Sequence, residues 1–97
     1  MSIVVEVRRC EMSLKYNCEQ AYGANARLSS FSFFDACETL AQARESVRRR
    51  ILRHIDFEDR GEDYEREWRR LADDAKTAEP GDILTFDERH WRIVEES

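Results

Sequence analysis

Three cysteines, two histidines and a crowd of carboxylates are the residues of this chain that could do chemistry. Nucleophilic catalysis needs a Cys or Ser with a base within hydrogen-bond reach. Nothing in the spacing of Cys10, Cys18 and Cys37 pairs them with His54 or His90. Cys37 falls on an apolar helical stripe, where it reads as a small buried hydrophobe. Zinc needs ligands in clustered pairs such as C-x2-C or H-x3-H. Here the cysteines are eight and nineteen residues apart and the histidines thirty-six apart, so no metal site is expected. Paired carboxylates can do acid–base work. The acids between residues 56 and 67 are too many, and too close to arginines, to look tuned for it. Asp73 and Asp74 are adjacent and would diverge by about 100° on a helix. Gly23, Gly61 and Gly81 stand alone, so no phosphate-cradling loop is present. The chain therefore reads as non-enzymatic, with no catalytic, cofactor-binding or metal-binding residue and no cofactor.

Charge is the stronger signal. The net charge is −5, which excludes a uniformly basic nucleic-acid binder. Yet residues 44–53 hold five Arg against one Glu, and residues 56–67 hold seven acids against two Arg. Fourteen of the sixteen cations are arginine, a residue suited to bidentate and planar contacts. On a helix, Arg48, Arg49 and Arg50 fan across roughly 200° rather than forming one patch. Arg49 and Arg53 share the outward face, with Glu45 placed to pair with Arg49. Arg48 and Arg50 flank the apolar stripe, where their stems can cover the edges of the core. In the acidic half, Glu62–Arg66, Glu65–Arg69, Arg69–Asp73 and Arg70–Asp74 are expected ion pairs at i,i+4. Asp56, Glu58, Asp59 and Asp63 are less clearly paired.

The elements that must position these residues follow from periodicity. Residues 3–18 alternate apolar and polar, with a parity flip near Arg8-Arg9, and read as one long bent strand. Residues 17–25 read as a loop and residues 26–32 as a returning strand. Ser32, with Asp35 at the reciprocal position, reads as the cap of a helix. Its stripe is Ala36, Leu40, Ala43, Val47 and Ile51, with Cys37 and Ile55 beside it. Asp56, with Asp59, reads as the cap of a second helix carrying Phe57, Tyr64, Trp68, Leu71, Ala75 and Ala78. Gly61, on that stripe, permits a close crossing or marks a later start. Pro80-Gly81 stops the helix. Residues 82–94 read as a hairpin turning at Asp87-Glu88, with Leu84, Phe86, Trp91 and Ile93 on one face. The aromatics mostly fit core stripes; Tyr16, Tyr22 and Phe31 are the least anchored. The order is β-β-α-α-β-β, an α+β fold with an antiparallel sheet of about four strands and two helices packed on one face.

Ninety-seven residues, 41% apolar, predict a single folded domain spanning 1–97. No basic segment precedes a long apolar run, so no signal peptide or membrane span is expected, and the location is expected to be cytoplasmic. An odd, scattered set of cysteines fits reduced thiols. A compact, acidic, single-domain chain without a catalytic motif resembles the small phage or mobile-element proteins that block host defence complexes, anti-CRISPR proteins among them. Those proteins share no motif, so the resemblance transfers no residues. It implies an inhibitor that binds a protein partner; the acidity concentrated at the start of the second helix makes Asp56, Glu58, Asp59, Glu62 and Asp63 the expected docking surface. Such a surface would dock onto a basic nucleic-acid-binding groove of a larger complex. The alternative is direct nucleic-acid contact through Arg8, Arg9, Arg49 and Arg53. A third reading is an accessory subunit of a host complex.

Overall fold

The computed structural model of the chain describes residues 14–25, 30–57 and 60–96. Its elements are β1 (Tyr16–Tyr22), β2 (Ser32–Cys37), α1 (Leu40–Phe57), α2 (Glu62–Ala75), β3 (Ile83–Phe86) and β4 (Arg89–Glu95). The expected order β-β-α-α-β-β holds. All strand pairs are antiparallel, in the order β2-β1-β4-β3. The first and last strands therefore lie side by side at the centre, and each hairpin supplies one outer strand.

Several boundaries differ from the periodicity reading. β1 continues to Tyr22, where a loop was expected, because Asn17 to Tyr22 pair along their length with β4. The part of the long strand expected over residues 3–13 lies outside the described residues, as do residues 26–29 of the expected second strand. Ser32 does not cap a helix. It begins β2, whose residues 32–37 pair with β1. The capping box sits seven residues later. Thr39 Oγ1 accepts the Gln42 N–H at 3.1 Å, and Gln42 Oε1 accepts the Thr39 and Glu38 N–H groups at 3.3 and 3.0 Å. Ala36 and Cys37 thus belong to the strand, and the helical stripe proper is Ala43, Val47 and Ile51, all buried.

The second cap also moves. Asp56 lies inside α1, which runs on to Phe57. α2 begins only at Glu62, behind Gly61 with φ +99°. That positive φ suits glycine, and no side chain caps the helix. Of the two alternatives for Gly61, it marks the later start.

The helices cover one face of the sheet. Cys18 pairs in register with Ile93, and Leu84 with Trp91, so these residues point the same way. Cys18 Sγ lies 3.5 Å from the Ala43 carbonyl of α1, and Phe86 meets Trp68 of α2 edge-on with ring centroids 4.8 Å apart. Trp68 is the hub. His54 of α1 stacks on it at 4.6 Å, and Trp91 and Tyr64 meet it edge-on at 5.6 and 6.0 Å. The indole Nε1 atoms of Trp68 and Trp91 are buried without a hydrogen-bond acceptor, so ring contacts hold them.

The β3–β4 hairpin turns on two residues, Asp87 and Glu88, both with positive φ, 54° and 60°. That is the twist an antiparallel pair favours. Tyr64 Oη donates a short hydrogen bond to Asp87 Oδ2, which also accepts from Arg89 Nη1 at 3.1 Å. The Tyr64 hydroxyl, more than Arg89, holds the Asp87 carboxyl below its usual range. On the opposite face of the sheet, His90 is buried, with Nε2 2.7 Å from the Gly23 carbonyl and Nδ1 2.9 Å from Thr85 Oγ1. Among the described residues no helix is long and apolar enough to cross a membrane.

Candidate anion-binding groove

β1 and β2 lose register by one residue. Cys18 pairs with Asp35, but Glu19 pairs with Phe33, so Phe34 is an extra residue on β2. A bulge of this kind re-aims side chains. Here Phe34 and Asp35 both turn toward α1, where they line a recess of about 350 Å³ with Ser46, Arg49, Arg50 and Arg53. That volume lies near the lower end for small-ligand sites, about 300–1,000 Å³. A second recess of about 180 Å³ adjoins it, sharing Arg50 and Arg53 and adding Gln20, Tyr22 and His54. Together they form a groove along the flank of α1.

The helix geometry explains the grouping. Ser46, Arg49, Arg50 and Arg53 recur at spacings of three and four, beside the core stripe of Ala43, Val47 and Ile51. Arg50 is held by two strands. Its Nε donates to Gln20 Oε1 at 3.0 Å, and its guanidinium carbon stands 4.8 Å from the centroid of the Phe34 ring. One strand therefore orients the fork and its neighbour supports the fork's face. Arg49 is 71% exposed. It meets Glu45 at 3.5 Å, while Arg48 binds the same carboxylate at 3.0 Å. One carboxylate thus serves two guanidinium groups. The acid inside the groove is Asp35, which accepts a short hydrogen bond from Ser46 Oγ and another from its neighbour Ala36 N–H at 2.9 Å.

The structure brings together Arg49 and Arg53, the two arginines that share the outward face, and adds Arg50, which was expected only to cover a core edge. Arg48 diverges from them as anticipated, into a separate recess with Arg44 and Lys76. Arg8 and Arg9 lie outside the described residues. Of the least anchored aromatics, Tyr16 packs against the core and Phe31 lies 3.9 Å beneath the guanidinium of Arg92. Tyr22, 61% exposed, opens onto the groove. Its place among the three least anchored aromatics was the sequence signal for it. Phe34 left no such signal, because its direction depends on the bulge.

The acidic residues are arranged differently. Glu58 and Asp59 lie outside the described residues, and so does the side chain of Asp56. Glu62 and Asp63 are exposed in the first turn of α2, where the helix dipole favours acids. Asp63 pairs with Arg66 at 2.8 Å, Glu65 with Arg69 at 3.1 Å, Glu67 with Arg70 at 3.6 Å and Asp73 with Lys76 at 3.3 Å. Among these links Glu65–Arg69 keeps the expected partner, and the other three take i,i+3 spacings.

The two described thiols, Cys18 and Cys37, are poorly placed for nucleophilic work, and Cys10 lies outside the described residues. Burial, with Cys37 next to it, pushes the Cys18 thiol up to about 12. Burial and the nearby Asp35 carboxylate raise Cys37 as well. A group so raised stays protonated at neutral pH. Neither histidine serves them, since His54 stacks on Trp68 and both His90 nitrogens are engaged. Among the described residues no cluster of His, Cys, Asp and Glu has the make-up of a metal site. Comparison with protein-family models, curated proteins and solved structures finds no match to this chain.

Proposed function

We propose that this protein is a non-enzymatic binding module that takes the phosphate backbone of a nucleic acid along the groove between α1 and β2. The observation that carries the reading is the convergence of Arg49, Arg50 and Arg53 on one recess, whose lining among the described residues holds one carboxylate, Asp35, with Glu45 3.5 Å from Arg49 at its edge. Guanidinium groups match phosphate oxygens bidentately, and Arg50 is held in place by Gln20 and Phe34 before any ligand arrives. The net charge of −5 limits long-range attraction, so binding depends on this local concentration of charge rather than on a basic field over the whole molecule. Fluorescence polarisation with labelled oligonucleotides at low salt tests the reading. Each neutralised phosphate releases counterions. Three arginine contacts give a log–log salt slope of about −2 on single strands and roughly −2.7 on duplex. No binding at tens of micromolar protein would remove the proposal.

A second reading keeps the expected acidic docking surface, because Glu62 and Asp63 stand exposed at the start of α2. In that reading the chain inhibits or joins a larger complex by meeting a basic protein groove, as the anti-CRISPR-like resemblance implies. Lysine at both positions would slow association with such a partner and flatten its salt dependence. The same change would leave oligonucleotide binding intact.

A further inference from the structure

Resting on the nucleic-acid reading above, we infer that the groove selects single strands, seating one unpaired base against the ring of Tyr22 while the adjoining phosphates meet Arg49 and Arg53. Two adjoining recesses of different character motivate this. The larger is arginine-rich and suits a backbone. The smaller is framed by the Tyr22 ring, the His54 ring and the Gln20 amide, with Arg50 and Arg53 on its border with the larger.

Tyr22 is the telling residue. It ends β1 on the row of Tyr16 and Cys18 that faces the helices, and it is 61% exposed although its strand is central in the sheet. A tyrosine ring in water gains by stacking on another planar face, and every base offers one once it is unpaired. In a duplex those faces are covered by neighbouring bases, leaving the ring only backbone to touch. Gln20 adds polar reach at the same place. Its Oε1 accepts from Arg50, which leaves its amide NH2 as a donor toward a base edge. Arg50 then joins the two recesses physically, with Phe34 against its face on the phosphate side and Gln20 on the base side.

Among the described residues the other exposed aromatic, Phe33, does not share this setting. It pairs in register with Glu19, on the face of the sheet away from the helices. The groove therefore has one stacking platform and a short phosphate track, fitting about one base with its flanking backbone rather than a long tract.

Polarisation titrations with a 12-nucleotide DNA strand, the matching RNA strand and the 12-base-pair duplex test the inference. Single strands should bind at least about tenfold tighter than the duplex, with the DNA and RNA arms reporting whether the sugar matters. Tyr22→Ala should weaken single-strand binding roughly 5- to 100-fold and leave duplex binding and the salt slope unchanged, and Tyr22→Phe should restore it. Because Tyr22 is exposed, a thermal melt of Tyr22→Ala should match the parent, separating lost stacking from lost fold. Equal affinity for strand and duplex, or an unchanged Tyr22→Ala, overturns base seating even if Arg49→Gln and Arg53→Gln still weaken binding. In that outcome the phosphate reading survives alone. No binding to any of the three oligonucleotides overturns both.

Discussion

In α2, Arg66, Arg69 and Arg70 each meet an acid three or four residues earlier in the same helix. In α1, Arg44 leaves the helix to donate to the Ala78 carbonyl at 2.7 Å and to pair with Glu79 at 3.0 Å. Arg50 leaves it to reach Gln20 and Phe34. Arg48 and Arg49 share Glu45. The two helices are similarly rich in arginine but differ in where their acids fall. A helix with an acid one turn before each arginine neutralises itself on its own surface, and each such exposed pair is worth little. A helix with more arginines than acids of its own sends arginines to partners on other elements. In α1, Arg50 ties the helix to the sheet and Arg44 ties it to the segment after α2, while Arg49, Arg50 and Arg53 line the groove.

The largest expected effect breaks both helices at once. Trp68 is fully buried where α1, α2, β3 and β4 meet. Trp68→Ala should cost about 3–5 kcal/mol and unfold much of the population, read by urea denaturation. The comparison next sharpens in alkali, because α1 rests on Cys18 whereas α2 rests on aromatic rings. The folded thiol is raised to about 12 from an ordinary value of 9.0, so the folded state holds its proton longer than the unfolded chain does. Stability from this thiol is therefore complete below pH about 9 and is lost as pH rises toward about 12. Cys18→Ala should blunt that alkaline decline, measured as melting temperature against pH relative to the parent.

A smaller effect compares the helices directly. Arg50→Ala removes a hydrogen bond to Gln20 and a contact with a ring, and should cost about 1–2 kcal/mol. Arg69→Ala removes one exposed pair within a helix and should stay within about 0.5 kcal/mol. Equal costs, read from denaturant midpoints at constant slope, would erase the distinction between the helices. The smallest effect lies at Glu88, which turns the hairpin at φ 60° without being glycine. Glu88→Gly should raise stability by about 1 kcal/mol by relieving that backbone position. It should not alter either helix's arginine contacts.

The fold order was legible because alternation over the strands and three-to-four spacing over Ala43, Val47, Ile51 and over Trp68, Leu71, Ala75 are local signals. The helix starts were misplaced for a local reason too. Ser32 with Asp35 imitates a capping box, and Ala36 imitates the helical stripe. Pairing with β1 across the chain overrode both, and the working box, Thr39 with Gln42, stood unused in the sequence. The groove was half legible. Arg49 and Arg53 follow from helix geometry alone, and Tyr22 was one of three least anchored aromatics, with Tyr16 and Phe31. Arg50 shares the helical spacing of Arg49 and Arg53, but the ring against its guanidinium depends on the bulge at Phe34, and a register shift between strands leaves no mark in either strand's own pattern.

The central claim is that α1 has charge to offer a nucleic acid and α2 does not. It is tested most directly by the salt dependence of oligonucleotide affinity for two double variants. Arg49→Gln with Arg53→Gln should weaken binding and reduce the magnitude of the single-strand slope by roughly 1.4, for two lost phosphate contacts. Arg66→Gln with Arg69→Gln, which alters the self-paired helix by the same charge, should leave the slope unchanged. Equal losses from the two pairs, or a larger loss from the α2 pair, would contradict the account.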